Sequence, residues 1–123
     1  MAQKRVLLIG LDPAFITFPP SSGRTAEQIT AAGNAAQEQL TALDYTVHTC
    51  LLDLGATAES VVLQTLSQSS FDCIMIGAGL RAMLEHTALF EKIINVVHQH
   101  APTAKLCFNT SPGDTVTAVL RWI

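Results

Sequence analysis

Charge is scarce in this chain. Asp, Glu, Lys and Arg make up 14% of its 123 residues, against about a quarter in an ordinary soluble domain. The apolar share, 49%, stands at the upper end of the usual range. With so little charge to cover the surface, some apolar area is left over, and apolar patches of several hundred Å² mark subunit interfaces or ligand clefts. A homo-oligomer is therefore expected. Basic residues are fewer still than acidic ones, 7 against 10, for a net charge of -3. Lys4 with Arg5 is the one adjacent basic pair, so nothing here attracts a polyphosphate backbone and nucleic acid is excluded as a partner. No apolar run approaches the roughly 18 residues that span a bilayer, and the amino terminus lacks a signal-peptide apolar region. No membrane partner and a cytoplasmic location are expected.

Cysteine is also sparse: Cys50, Cys73 and Cys107 are odd in number, and no CxxC or Cys/His ligand spacing occurs. Each falls in an apolar stretch, which predicts buried, reduced thiols and no metal site. The motifs of several enzyme classes are missing as well. There is no Walker A sequence, no G-x-S-x-G, no C-x5-R and no DxDx[TV], since Asp12 is followed by Pro13 and Ala14.

What is present is organised around FDCIMIGAGLR, residues 71–81. Cys73, Ile74, Met75 and Ile76 show no polar alternation, so both faces must be covered, as in a parallel sheet with helices on each side. Gly77 and Gly79 follow, and they free the backbone to turn at the carboxyl edge of that sheet. RVLLIGL, residues 5–11, is a second doubly buried strand, ended by Asp12-Pro13. TVHTCLL, residues 46–52, is more polar and suits a sheet edge. KLCF, residues 105–108, is the fourth strand.

Helical spacing fills the gaps. Thr25 and Gln28 form a capping-box pattern, and Ile29, Gly33, Ala36, Leu40 and Leu43 recur at helical intervals to Asp44. Ala32, Gly33, Ala35 and Ala36 make this helix thin, suited to lying close against a neighbour. Val62, Leu63 and Leu66 define a second helix over residues 58–69. Leu89, Phe90, Ile93, Ile94 and Val97 define a third over residues 87–100, which Pro102 ends. Ser111, Pro112 and Asp114 open a fourth, with Val116, Val119, Leu120 and Ile123 recurring at i, i+3, i+4 and i+7 to the last residue.

Strands alternating with helices predict one α/β domain over residues 1–123, three layers deep, with parallel strands ordered 2-1-3-4. The first and last helices would cover one face and the second and third the other. This architecture resembles a shortened flavodoxin-like (Rossmann-like) fold, as in flavodoxins and receiver domains, without the fifth strand. FDCIMIGAGLR, LFEKIINVVHQHAP and CFNTSPGDTVTAVLRWI together resemble a family of short, uncharacterised bacterial α/β proteins. That resemblance implies a bacterial single-domain chain and transfers no activity, cofactor or site.

In such a sheet, ligands bind outside the carboxyl ends of the strands where strand order reverses. Asp12, Gly77, Gly79, Arg81, Asn109, Thr110 and Ser111 converge there, and Arg24 with Thr25 opens the first helix, where amides and hydroxyls suit an anion. Asp12 is placed as catalytic and metal-binding carboxylates often are, yet Asp-Pro also simply makes a turn. Arg81 would clamp an anionic ligand or pair with Glu85. His86 would act as a base or do nothing. Receiver phosphorylation is excluded, since Gly77 stands where the acceptor aspartate belongs. Gly77-x-Gly79, without a third glycine or an immediate helix, is weak support for a dinucleotide. Tyr45 and Trp122 lie away from the positions that would sandwich a flavin, so no cofactor is assigned.

Three functions remain open: a domain binding or sensing a small anionic or nucleotide-like metabolite, a small enzyme using Asp12 or His86 with Arg81, and a receiver-like interaction module. Residues 14–24 (AFITFPPSSGR) carry Phe15, Ile16 and Phe18 and read as a lid or an interface element. A homodimer is expected through the fourth strand, which Lys105 alone protects, through the last helix with Trp122 as anchor, or through this loop.

Overall fold

Four runs rich in β-formers become four strands: β1 (Arg5–Leu11), β2 (Thr46–Leu52), β3 (Cys73–Ile76) and β4 (Lys105–Phe108). A computed structural model describes residues 3–123 and pairs them in one all-parallel sheet ordered β2-β1-β3-β4. Between them lie α1 (Ala26–Ala42), α2 (Ala58–Gln68), the single turn α3 (Ala78–Arg81), α4 (Thr87–His100) and α5 (Thr115–Leu120). Every strand connection is a crossover, and helices cover both faces of the sheet.

Alternation along each strand divides the core in two. Leu7, Ile9, Ile74 and Ile76 point to the layer formed by Val62 and Leu66 of α2 with Leu89, Ile93 and Val97 of α4. Val6, Leu8, Cys73, Met75 and Cys107 point the other way, to Leu40 of α1 and to Ala118 and Val119 of α5. The period of two in β-structure thus assigns first and last helices to one face and the two middle helices to the other. Among the described residues, no helix is long and apolar enough to cross a membrane.

Three expectations need correction. The sequence contains one more helix than its periodicity suggests, because a four-residue turn such as α3 is too short to show a period. The last helix is shorter than expected: Pro112–Asp114 is a 3-10 turn, and α5 proper stops at Leu120. Of the thin stretch of α1, Ala36 alone is buried. Only Ala36 and Leu40 of α1 are buried, Leu43 is exposed, and a Cβ at Gly33 would meet no atom within 4 Å. An open cleft lies where Ala32, Ala35 and Ala36 face Pro112, Gly113 and Val116.

The three thiols are buried and free. Cys73 Sγ lies 3.5 Å from Cys107 Sγ, a contact invisible to the spacing of single residues. Its hydrogen bond to Cys73, and burial after it, push the Cys107 thiol well above the usual thiol range. Burial pushes Cys50 up as well.

Candidate functional site at the carboxyl ends of the strands

β1 ends at Asp12, whose amide donates to Leu52 O (2.9 Å) and whose Oδ1 accepts from Ala14 N (3.0 Å). The carboxylate therefore caps the 3-10 turn Pro13–Phe15. Pro13 and Leu11 are buried, and Leu80 of α3 is fully buried beside them. The point where strand order reverses is accordingly filled with apolar side chains.

β3 passes directly into α3. Gly77 sits at its N-cap with φ -69° and ψ 151°, an extended conformation open to any residue. A Cβ there would make only ordinary contact with Ile9 O at 3.4 Å. The expectation that both glycines supply special turn freedom is thus not met. The left-handed glycines are Gly23 and Gly55, in loops that contribute nothing to this end of β3. An immediate helix does follow Gly77, contrary to the sequence reading, but at one turn it is no dinucleotide-binding helix.

Asn109 joins the ends of β3 and β4. Its side chain, 5% exposed, accepts from Ala78 N (2.8 Å) and donates from Nδ2 to Thr115 Oγ1 (3.0 Å). Thr115 in turn donates to Pro112 O (3.1 Å). A buried asparagine with both amide ends engaged is a structural latch between α3 and α5, and its side chain has little left to offer a ligand. Its main-chain carbonyl accepts from Arg81 Nη2.

Two arginines stand at this end: Arg121, whose Nη2 bonds Phe108 O, and Arg81. The Arg81 guanidinium carbon lies 5.3 Å from the Phe108 ring centroid, and Phe90 meets that ring edge-on at 6.3 Å. Nε is buried with no hydrogen-bond partner. Among the described residues no carboxylate lies within ion-pair distance of Arg81, and the pairing with Glu85 is not formed. The arginine is held by stacking and by one carbonyl, with its charge uncompensated.

Thr110 and Ser111 converge beside it, but on Asp114. Thr110 N and Oγ1 donate to the Asp114 carboxylate at 2.9 and 2.6 Å, and Ser111 N at 3.2 Å. These bonds, the Thr110 hydroxyl foremost, hold the Asp114 carboxyl below the usual range. Asp53 after β2 is lowered likewise, by the amide of Gly55 first and then by the Thr57 hydroxyl and amide. His86 bonds Gly79 O through Nδ1 at 3.1 Å, so this ring closes the loop after α3. Thr25 forms the full capping box with Gln28, and Arg24 N bonds Ser22 Oγ.

The site expected from sequence is therefore brought together in part. Gly77, Gly79, Arg81, Asn109, Thr110 and Ser111 form one neighbourhood. Asp12 ends the adjacent strand with its carboxylate on a turn, and no hydrogen bond joins Arg24 or Thr25 to the Arg81 group. Asp114 and Phe108, which position that group, carry no binding signal in the sequence: the spacing of Asp114 from Ser111 signals a cap, and Phe108 closes a strand. No known protein family and no curated protein sequence matches the chain.

Proposed function

We propose that the chain is a small, self-associating binding domain that recognises an anionic metabolite, nucleotide-like or otherwise phosphorylated, at the carboxyl ends of β3 and β4. Arg81 carries this reading. A half-buried guanidinium without a carboxylate, stacked on Phe108, is already oriented and already partly desolvated. Both conditions favour a charge-assisted bond to an arriving oxyanion. With the crevice between β1 and β3 filled, the ligand would lie across the surface beside Arg81. The buried, unbridged thiols fit a reducing cytoplasmic compartment.

A ligand-panel thermal-shift screen with nucleotides, flavins and sugar phosphates tests the proposal. Free ligand at a hundred times its dissociation constant adds about 2.7 kcal/mol. The expected result is a raised melting temperature with an anionic member, lost in Arg81→Met. Stabilisation that survives Arg81→Met would remove Arg81 from the site. Catalysis by Asp12 or His86 has less support, because each already makes a local structural bond.

A second reading, an interaction module without phosphorylation, is favoured by one observation. Leu84, in the turn after α3 at the same end of the sheet, is 91% exposed. A large apolar side chain so placed suits a protein partner better than a small anion. Leu84→Ser leaving ligand-induced stabilisation intact while abolishing capture of a partner would support that reading.

A further inference from the structure

We propose that the outer edge of β2 is where a second copy of this chain docks, antiparallel about a twofold axis through Thr49, so that the two sheets become one. This rests on the self-association reading above and is independent of Arg81.

Backbone bookkeeping identifies the free groups. Thr46 N donates to Lys4 O, and Leu52 O accepts from Asp12 N, both at 2.9 Å. In an unbroken parallel register from Arg5↔Thr46 to Leu11↔Leu52, every second residue of β2 then turns its N–H and C=O toward β1. Val47, Thr49 and Leu51 turn theirs outward. β2 ends the sheet, and no described side chain or loop bonds these outward groups. Six main-chain groups in a row await partners, a pattern that another strand complements and a loop or helix face does not.

Proteins blunt such edges with lysine, proline, a bulge or a very short strand, and β2 has none of these. Its sequence is TVHTCLL over seven residues, without a formal charge or a proline. The opposite edge is blunted. β4 is four residues long and begins with Lys105, and its outward carbonyl at Phe108 accepts from Arg121 Nη2 at 3.0 Å. The contrast selects β2 as the edge left open for pairing.

The occupant follows from symmetry. The outward residues are centred on Thr49, so a twofold axis there sets Thr49 opposite Thr49 of the partner subunit and Val47 opposite Leu51 of the partner subunit. All six outward groups on each strand segment are then engaged in hydrogen-bonded pairs. Val47, Thr49 and Leu51 also share a sheet face, on the side of α1, where Thr49 Oγ1 meets Gln37 Oε1 at 2.7 Å. Leu51 is 52% exposed. The pairing would cover it with a β-branched apolar neighbour, a favourable cross-strand combination. Because β2 carries no charge, no like charges meet across the axis.

Sedimentation equilibrium of the full chain over a dilution series tests this with Thr49→Lys and Thr49→Glu. Thr49 is exposed and its side chain makes one exposed bond, to Gln37, so both variants should keep the wild-type circular dichroism and lose at most a few degrees of melting temperature at concentrations where the chain is monomeric. Wild type is expected at twice the chain mass at tens of micromolar. Each variant, setting like charges opposite one another, should dissociate at least about tenfold more readily. An equimolar mixture should recover the dimer as a Lys/Glu heterodimer. A wild-type monomer at every concentration would overturn self-association and this proposal together. A wild-type dimer unaffected by either variant would overturn the placement alone, as would a dimer lost in Trp122→Ala but kept in Thr49→Lys. Variants that are monomeric both singly and mixed would overturn the twofold register at Thr49.

Discussion

Replacing Asn109 by alanine removes the latch between α3 and α5 and exposes how the carboxyl end of the sheet is held. The structure assigns two hydrogen bonds to this buried side chain, one from Ala78 N and one to Thr115 Oγ1. Alanine leaves the Ala78 amide without an acceptor and the Thr115 hydroxyl with one partner fewer. Each buried polar group left unmatched costs roughly 1–3 kcal/mol. Because Ala78 is only partly buried and water can reach it, a total of about 2–3 kcal/mol is expected. At about 2.1 cal/mol/K per residue of unfolding entropy, that lowers the melting temperature by roughly 8–12 °C. Urea unfolding should show a lower midpoint with unchanged slope. Asn109→Asp keeps the acceptor for Ala78, but Thr115 could donate to it only by giving up its bond to Pro112 O, so this variant should also be destabilised. A loss below about 0.5 kcal/mol for Asn109→Ala, the scale of an inconsequential surface change, would refute the latch and return Asn109 to the pool of free ligand-binding groups.

Further outcomes follow from the same contacts. Gly33→Ala should stabilise by about 0.5–1 kcal/mol, since a mid-helix glycine costs that much relative to alanine and the new methyl meets no atom within 4 Å; destabilisation in urea melts would mean that α1 is closely packed at Gly33 itself. The three thiols should react with a thiol reagent at the rate of unfolding. Cys107 pairs in register with Met75, so it sits two residues off Cys73, with Cα atoms ~8 Å apart by strand geometry. That exceeds the ~7 Å limit for bridging without backbone movement, so diamide should yield no Cys73–Cys107 disulfide in the native chain by peptide mapping. Asp53 and Asp114 have depressed folded-state values. Their contribution is fully present above the unfolded carboxylate value near ~4 and is lost as pH falls through the lower folded values. Asp114→Asn should therefore flatten the acid limb of stability against pH, and a limb as steep as wild type would contradict the assignment.

The fold was legible because its signals are periodic. Doubly buried runs such as Arg5–Leu11 and Cys73–Ile76 require cover on both faces, and chirality then leaves few orders for four parallel strands. The site was less legible because side chains such as those of Asn109 and Asp114 can serve a ligand or the backbone, and sequence does not say which. Asn109 spans from β4 to Ala78, a contact fixed only when the two strands are neighbours. The one-turn helix α3 lacked the length to show a period, and it is this turn that turns Arg81 onto Phe108. Thiol contact between Cys73 and Cys107 likewise depends on register across strands, which residue spacing along the chain does not contain.

Recognition of an anion at Arg81 can be read by a nuclear magnetic resonance titration with pyrophosphate and AMP as probes. Saturable movement of the Arg81 Nε–H signal together with the amides of Ala78 and Thr110, absent in Arg81→Met, is expected. Saturable movement confined to the start of α1 around Arg24 and Thr25, unchanged by Arg81→Met, would contradict it.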